Sequence, residues 1–132
     1  MIRTTSLLLA LVASPLAAQD TDGIQGIIDQ QMDAFIARDI PTAFGFASPG
    51  LQQMFQTPQN FGHMVEYGYE TIWNNEDVRY LDLRQDAEHW VQRVMVSDGQ
   101  GSVMVFDYFM VETDGVWRID AVQPVIMPQG MA

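Results

Sequence analysis

The sequence predicts an α+β fold: N-terminal helices packed on one face of a curved, cone-like antiparallel sheet. Three observations predict it. Residues 102–112 read SVMVFDYFMVE, with Val103, Val105, Phe109 and Val111 on one alternation and Met104, Phe106, Tyr108 and Met110 on the other. A strand apolar on both phases is covered on both faces, as a central strand is. The chain after Trp73 then falls into β-branched and aromatic runs separated by turn residues, whereas the chain before it carries helical periodicity. Helices first and a meander last is an α+β order.

The first 18 residues are read as a cleaved secretory signal. Arg3 opens it, residues 7–13 are an unbroken apolar run, and Ser14, Pro15, Leu16, Ala17 and Ala18 end it in small residues. The run is too short to anchor the chain in a bilayer, so the expected location is periplasmic or secreted. Residues 19–132 form one domain, with its core from about 24 to 124. Cysteine is absent, so stability rests on the core rather than on disulfides.

The chain in order supports this. Ile24, Ile27, Ile28, Met32, Phe35 and Ile36 form a helical stripe with Asp22 placed to cap it. Asp29 and Asp33 fall on its wet face. Pro41 closes the helix, and a short second helix fits residues 41–46. Ser48-Pro49 and Thr57-Pro58 each start a further helix, a capping side chain followed by a proline in the first turn. Leu51, Met54 and Phe55 form the inner face of the third; Phe61, Met64 and Val65 stripe the fourth, which ends near Gly68. Sheet signals begin at residues 69–73, and Asn74 to Asp77 reads as a turn. Strands follow at 78–83, 87–96, 102–112 and 116–122. A phase slip between Tyr80 and Leu81 marks a bulge or an edge. Gly99, Gly101 and Gly115 sit in the turns, and residues 127–132 form a loose tail.

Certain short motifs, taken in order, carry a resemblance. Asp33-Ala34-Phe35, Ala43-Phe44, Phe46-Ala47-Ser48-Pro49, Phe61, Met64-Val65 and Trp117-Arg118-Ile119 are similar to domain-of-unknown-function family 4864, small bacterial proteins that are often exported. The resemblance runs from about Ile24 to Val122. It implies no established activity. It implies a fold similar to the nuclear-transport-factor-2-like cone, which hosts isomerases, dehydratases, hydrolases and non-enzymatic binding modules.

Candidate chemistry is sparse. Asp107 interrupts the apolar alternation of the central strand, and a carboxylate there needs a partner or a pocket. If it faces a pocket, Tyr69, Tyr80 and Trp90 are the expected aromatic wall. If it is structural, Arg93 or Arg118 is the expected partner. His63 has Glu66 at i+3 and would be a weak general base, but a surface pair is the preferred reading. His89 beside Glu88 fares no better. No His or Cys cluster supplies a metal site. Eight methionines remain after Met1, but most sit at core spacing, with only Met127 and Met131 in the tail expected to reach solvent, so copper and other cofactors are not expected. Phosphate loops and nucleophile elbows are absent.

The formal net charge is −11, and every basic residue is arginine. Phosphate backbones and anionic membrane surfaces would repel such a chain, so nucleic acid and a stable membrane anchor are not expected. The leading expectation is non-enzymatic binding of a small apolar or amphipathic ligand, or of a protein partner. The alternatives are an acid/base enzyme of isomerase or dehydratase type using Asp107 with His63 or Tyr69, and a structural module that forms a homodimer through its sheet face.

Overall fold

A computed structural model of the chain describes residues 15–126. The expected signal segment lies outside these residues except for its last four, and so does the expected tail with Met127 and Met131. Five helices, α1 (Pro15–Ile36), α2 (Ile40–Gly45), α3 (Pro49–Phe55), α4 (Pro58–Gly68) and α5 (Glu70–Trp73), precede four strands. These are β1 (Asp77–Asp86), β2 (His89–Ser97), β3 (Val103–Thr113) and β4 (Val116–Pro124), paired antiparallel in the order β1-β2-β3-β4. The expected α+β class, helices against a curved antiparallel sheet, is the observed one.

Side chains in a strand point alternately to its two faces, and on β3 the even-numbered set meets the helices. Phe106, Tyr108 and Met110 pack with Val94, Val96 and Ile119 against Ile24, Ile28, Met32 and Phe35 of α1. The odd-numbered set, Val105, Asp107, Phe109 and Val111, therefore lies on the outer face. The phase slip in β1 is a register shift between Tyr80 and Leu83 on an edge strand. The Asp114-Gly115 turn has both residues at positive φ, 52° and 77°, the left-handed pair that a two-residue hairpin requires.

Local chemistry starts α3 and α4 as the sequence predicts. Ser48 Oγ accepts from the Leu51 amide at 3.2 Å, and Thr57 Oγ1 from the Asn60 amide at 3.1 Å. Asp39 caps α2 in the same way, through the Thr42 amide. Ile36 and Met54, expected on inner faces, are 49 % and 67 % exposed, and the expectations fail in three further places. Residues 69–73 are not strand: Tyr69 leads into α5, which occupies 70–73, its last turn closed by the Asn74 amide on the Glu70 carbonyl at 3.0 Å. Asp22 is not a cap, because α1 begins at Pro15. Ala87 is not in a strand but in the β1–β2 turn, with φ of 50°.

Two glycines of α1 make a matched test of how closely this helix rides on the sheet. A Cβ at Gly23 would lie 2.8 Å from Cδ1 of Trp117 on β4, whereas one at Gly26 meets nothing within 4 Å. Glycine within a helix costs about 0.5–1 kcal/mol relative to alanine. Gly26→Ala is therefore expected to stabilise by about that much. Gly23→Ala is expected to destabilise, since overpacking of about 1–3 kcal/mol outweighs the propensity gain. Urea unfolding of the two variants checks the difference in sign.

Candidate functional site

The three capped starts break the N-terminal half into short helices, and the break between α3 and α4 lets them arch over one end of the sheet. Gln56, at φ of 73°, makes the sharp exit from α3. Phe61 then anchors the arch. Its ring lies 5.5 Å from those of Phe44 and Phe55, and 5.9 Å from that of Phe35. Beneath the arch is a cavity of about 240 Å3. Phe35 of α1, Leu51 and Met54 of α3, Met64 and Val65 of α4 and Ile72 of α5 form its helical walls. Tyr108 of β3 and Ile119 and Val122 of β4 form its floor. Met54, 67 % exposed, stands at the mouth.

Polar groups in the wall are few. None of the lining residues is charged. The Tyr69 hydroxyl donates to the Val122 carbonyl at 3.0 Å, and the Gln31 amide nitrogen to the Ala43 carbonyl at 3.1 Å. The Tyr108 hydroxyl is wholly buried and finds no hydrogen-bond partner among the described residues. Burial, and then the nearby Tyr69, hold its ionisation far above the usual phenol range. It remains a neutral O–H donor at every physiological pH.

Of the residues expected to share a pocket, only Tyr69 lines this cavity. Tyr80 instead ties β1 to α1, donating to the Gln25 carbonyl at 3.0 Å and to Asp29. Trp90 packs at the margin of the core. Asp107 lies on the opposite face of the sheet. Its Oδ1 accepts from Arg93 Nε at 3.0 Å, and its Oδ2 from Arg93 at 3.1 Å and Arg84 at 3.2 Å. Arg93 and Asp107 are direct cross-strand partners. These bonds, the one from Arg93 foremost, hold the Asp107 carboxyl below its usual range despite the opposing effect of burial. It is thus a poor base, and His63 is exposed on α4 with its ring stacked on Tyr67. The structure does not bring the two together.

The outer face holds a second polar chain that the sequence reading passed over. A register shift after Phe109 makes Asp120 an extra residue in β4. Its carboxylate receives the Ser48 hydroxyl at 2.7 Å and lies 2.8 Å from His89 Nε2. Hydrogen bonds from His89 and then Ser48 hold this carboxyl low. The order is Ser–Asp–His rather than Ser–His–Asp, so among the described residues the group placed to take the serine proton is a weakened base. Ser48 is also the α3 cap. Its amide and the Phe46 carbonyl bond Ile119, closing the free edge of β4. This chain clamps the α3 start onto the sheet. Among the described residues, no three His, Cys, Asp or Glu side chains converge as a metal site, and no helix is long and apolar enough to cross a membrane.

A family model described as domain of unknown function (DUF4864) matches residues 17–131. The chain belongs to the DUF4864 family. The match takes in every element from α1 to β4, so both the cavity and the outer-face clamp are built from DUF4864 sequence. No curated protein and no solved structure matches the chain.

Proposed function

We propose that this DUF4864 protein is a non-enzymatic binder of a small apolar molecule, held in the cavity under α3 and α4. The cavity carries the proposal: about 240 Å3 bounded by uncharged side chains, among them the core residues Phe35, Phe61, Val65 and Ile72. Protein interiors hold few voids larger than a water molecule. An apolar cavity of about 150 Å3 accepts benzene, and drug-sized sites run from about 300 to 1,000 Å3. The occupant is then on the order of ten non-hydrogen atoms. The Arg3-led apolar leader supports export, which would place the binder outside the cytoplasm.

Ethylbenzene is a suitable probe. Its addition is expected to raise the melting temperature of the wild type in proportion to occupancy. Val65→Phe should remain folded by circular dichroism and lose the response, because Val65 is 4 % exposed and lines the cavity. A wild type indifferent to ethylbenzene up to its solubility limit overturns the proposal.

The outer face favours a second reading, a homodimer. Val103 and Val116 are 59 % and 41 % exposed there. Arg79, Arg84, Arg93 and Arg118 share this face with Asp77, Asp82, Asp86, Asp107 and Asp120, four positive charges against five negative. Two copies of a chain with net charge −11 repel over most of their surface, but much less where the charges nearly cancel. Val103→Glu would weaken such a dimer. Sedimentation equilibrium showing a monomer at high concentration excludes it.

A further inference from the structure

The cavity's polar groups are not equivalent, and their difference specifies the ligand. Tyr69 and Gln31 already donate to backbone carbonyls of Val122 and Ala43. Tyr108, at 0 % exposure on β3, is one of the residues around the same cavity, and its buried hydroxyl has no partner among the described residues. Buried side-chain oxygens are almost always satisfied, and an unsatisfied one works against stability. Phenylalanine at this position would keep the ring in the core without that cost. The flanking Phe106 and Met110 show that apolar side chains fill the same face of the strand.

We propose that the Tyr108 hydroxyl is the recognition point of the site, and that the ligand is a neutral molecule carrying one hydrogen-bond acceptor, a carbonyl or ether oxygen, on an apolar body. This rests on the cavity-binding reading above and narrows it. The acceptor must come from the ligand, because Tyr108 offers a proton and no described residue accepts it. The ligand is neutral because no lining residue carries a charge to meet an ion, and an unpaired charge is not carried into an apolar site. An anion is further opposed by the net charge of −11. The apolar body lies toward Phe35, Val65 and Ile72, and the mouth beside Met54 gives entry. Methionine side chains there can repack around differing shapes.

Acetophenone, ethylbenzene and benzoate test this as a matched set: a neutral acceptor, its hydrocarbon counterpart and an anion. Calorimetric titration of the full chain should show acetophenone binding about fivefold to tenfold more tightly than ethylbenzene, the range of one buried hydrogen bond. Benzoate should not bind. In Tyr108→Phe the acetophenone affinity should fall to that of ethylbenzene, which should be unchanged. The carbonyl stretch of bound acetophenone should lie at lower frequency in the wild type than in the variant. The melting temperature of unliganded Tyr108→Phe should equal or exceed that of the wild type. Equal wild-type affinities for acetophenone and ethylbenzene overturn the acceptor assignment and leave the apolar cavity standing. Tighter binding of benzoate overturns the neutral ligand. Failure of both neutral probes overturns this inference and the binding function together. The wild-type comparison decides even if the variant does not fold.

Discussion

Phe35→Ala is expected to destabilise the protein by about 3–5 kcal/mol, the range for deleting a buried phenyl ring. Phe35 is 1 % exposed, and its ring stacks 5.9 Å from that of Phe61 and lies tilted 6.1 Å from that of Trp73. It therefore joins three elements, α1, α4 and α5, at the wall of the cavity. Helices as short as α4 and α5 have little stability of their own and depend on such packing. Total stability of a domain this size is about 5–15 kcal/mol, so the variant keeps only part of its margin. A fall in melting temperature of roughly 10–20 °C is the calorimetric reading. Because the deleted ring bounds the cavity, the space left should join it. Ethylbenzene should then recover more melting temperature in Phe35→Ala than it adds to the wild type. A loss below about 1.5 kcal/mol would mean that the site collapses around the deletion or that Phe35 is not packed there.

Much of this fold is legible in local chemistry. Ser48-Pro49 and Thr57-Pro58 start α3 and α4 because a side-chain oxygen before a proline satisfies an amide that no helix can. Asp114-Gly115 makes the β3–β4 hairpin because its backbone needs two left-handed residues. Residues 69–73 mislead because Thr71, Ile72 and Trp73 have strand propensity. Their burial against α1 and α4 is a tertiary effect, and the Asn75 amide, donating to the Met32 and Ile72 carbonyls, pins the turn. The site was missed for a different reason. A strand apolar on both alternations does not say which side the helices cover, and a shift of one residue exchanges the faces. Asp107 is the odd residue in its row, yet that row faces outward. The residue that matters to the cavity is its neighbour Tyr108, and no local signal distinguishes it from the Phe and Met on either side. Only the count of hydrogen-bond partners in three dimensions does.

Asp107→Asn is expected to cost about 1.5–3 kcal/mol at neutral pH, the range for hydrogen bonds to a charged group, while leaving probe binding in the cavity unchanged. Asp107 is 8 % exposed and serves two arginines, Arg93 on the adjacent β2 and Arg84 on β1 beyond it. An amide of the same shape keeps one acceptor oxygen but presents an N–H₂ group to guanidinium donors. Arg84 is 41 % exposed in its side chain and rehydrates readily, which limits the loss. Arg93, locked in cross-strand register with Asp107, bears most of it. The sign of the pH dependence follows from the lowered carboxyl. A group ionising more easily in the folded than in the unfolded chain binds fewer protons when folded, so its stabilisation is complete above the unfolded value of about 3.9. It is lost as pH falls from there through the lower folded value. The stability gap between wild type and Asp107→Asn should therefore be constant from pH 7 to about pH 5 and narrow below about pH 4. Asp120 is lowered in the same direction by His89 and Ser48, so the single variant should keep part of the acid sensitivity and Asp107→Asn/Asp120→Asn should lose more of it. Urea midpoints at pH 7, 5, 4 and 3 measure the gap. If it is the same at pH 3 as at pH 7, the carboxylate is not what Arg93 and Arg84 hold. If acetophenone binding changes instead of stability, Asp107 acts on the cavity through the sheet, and the two faces are not independent as the alternation of β3 makes them.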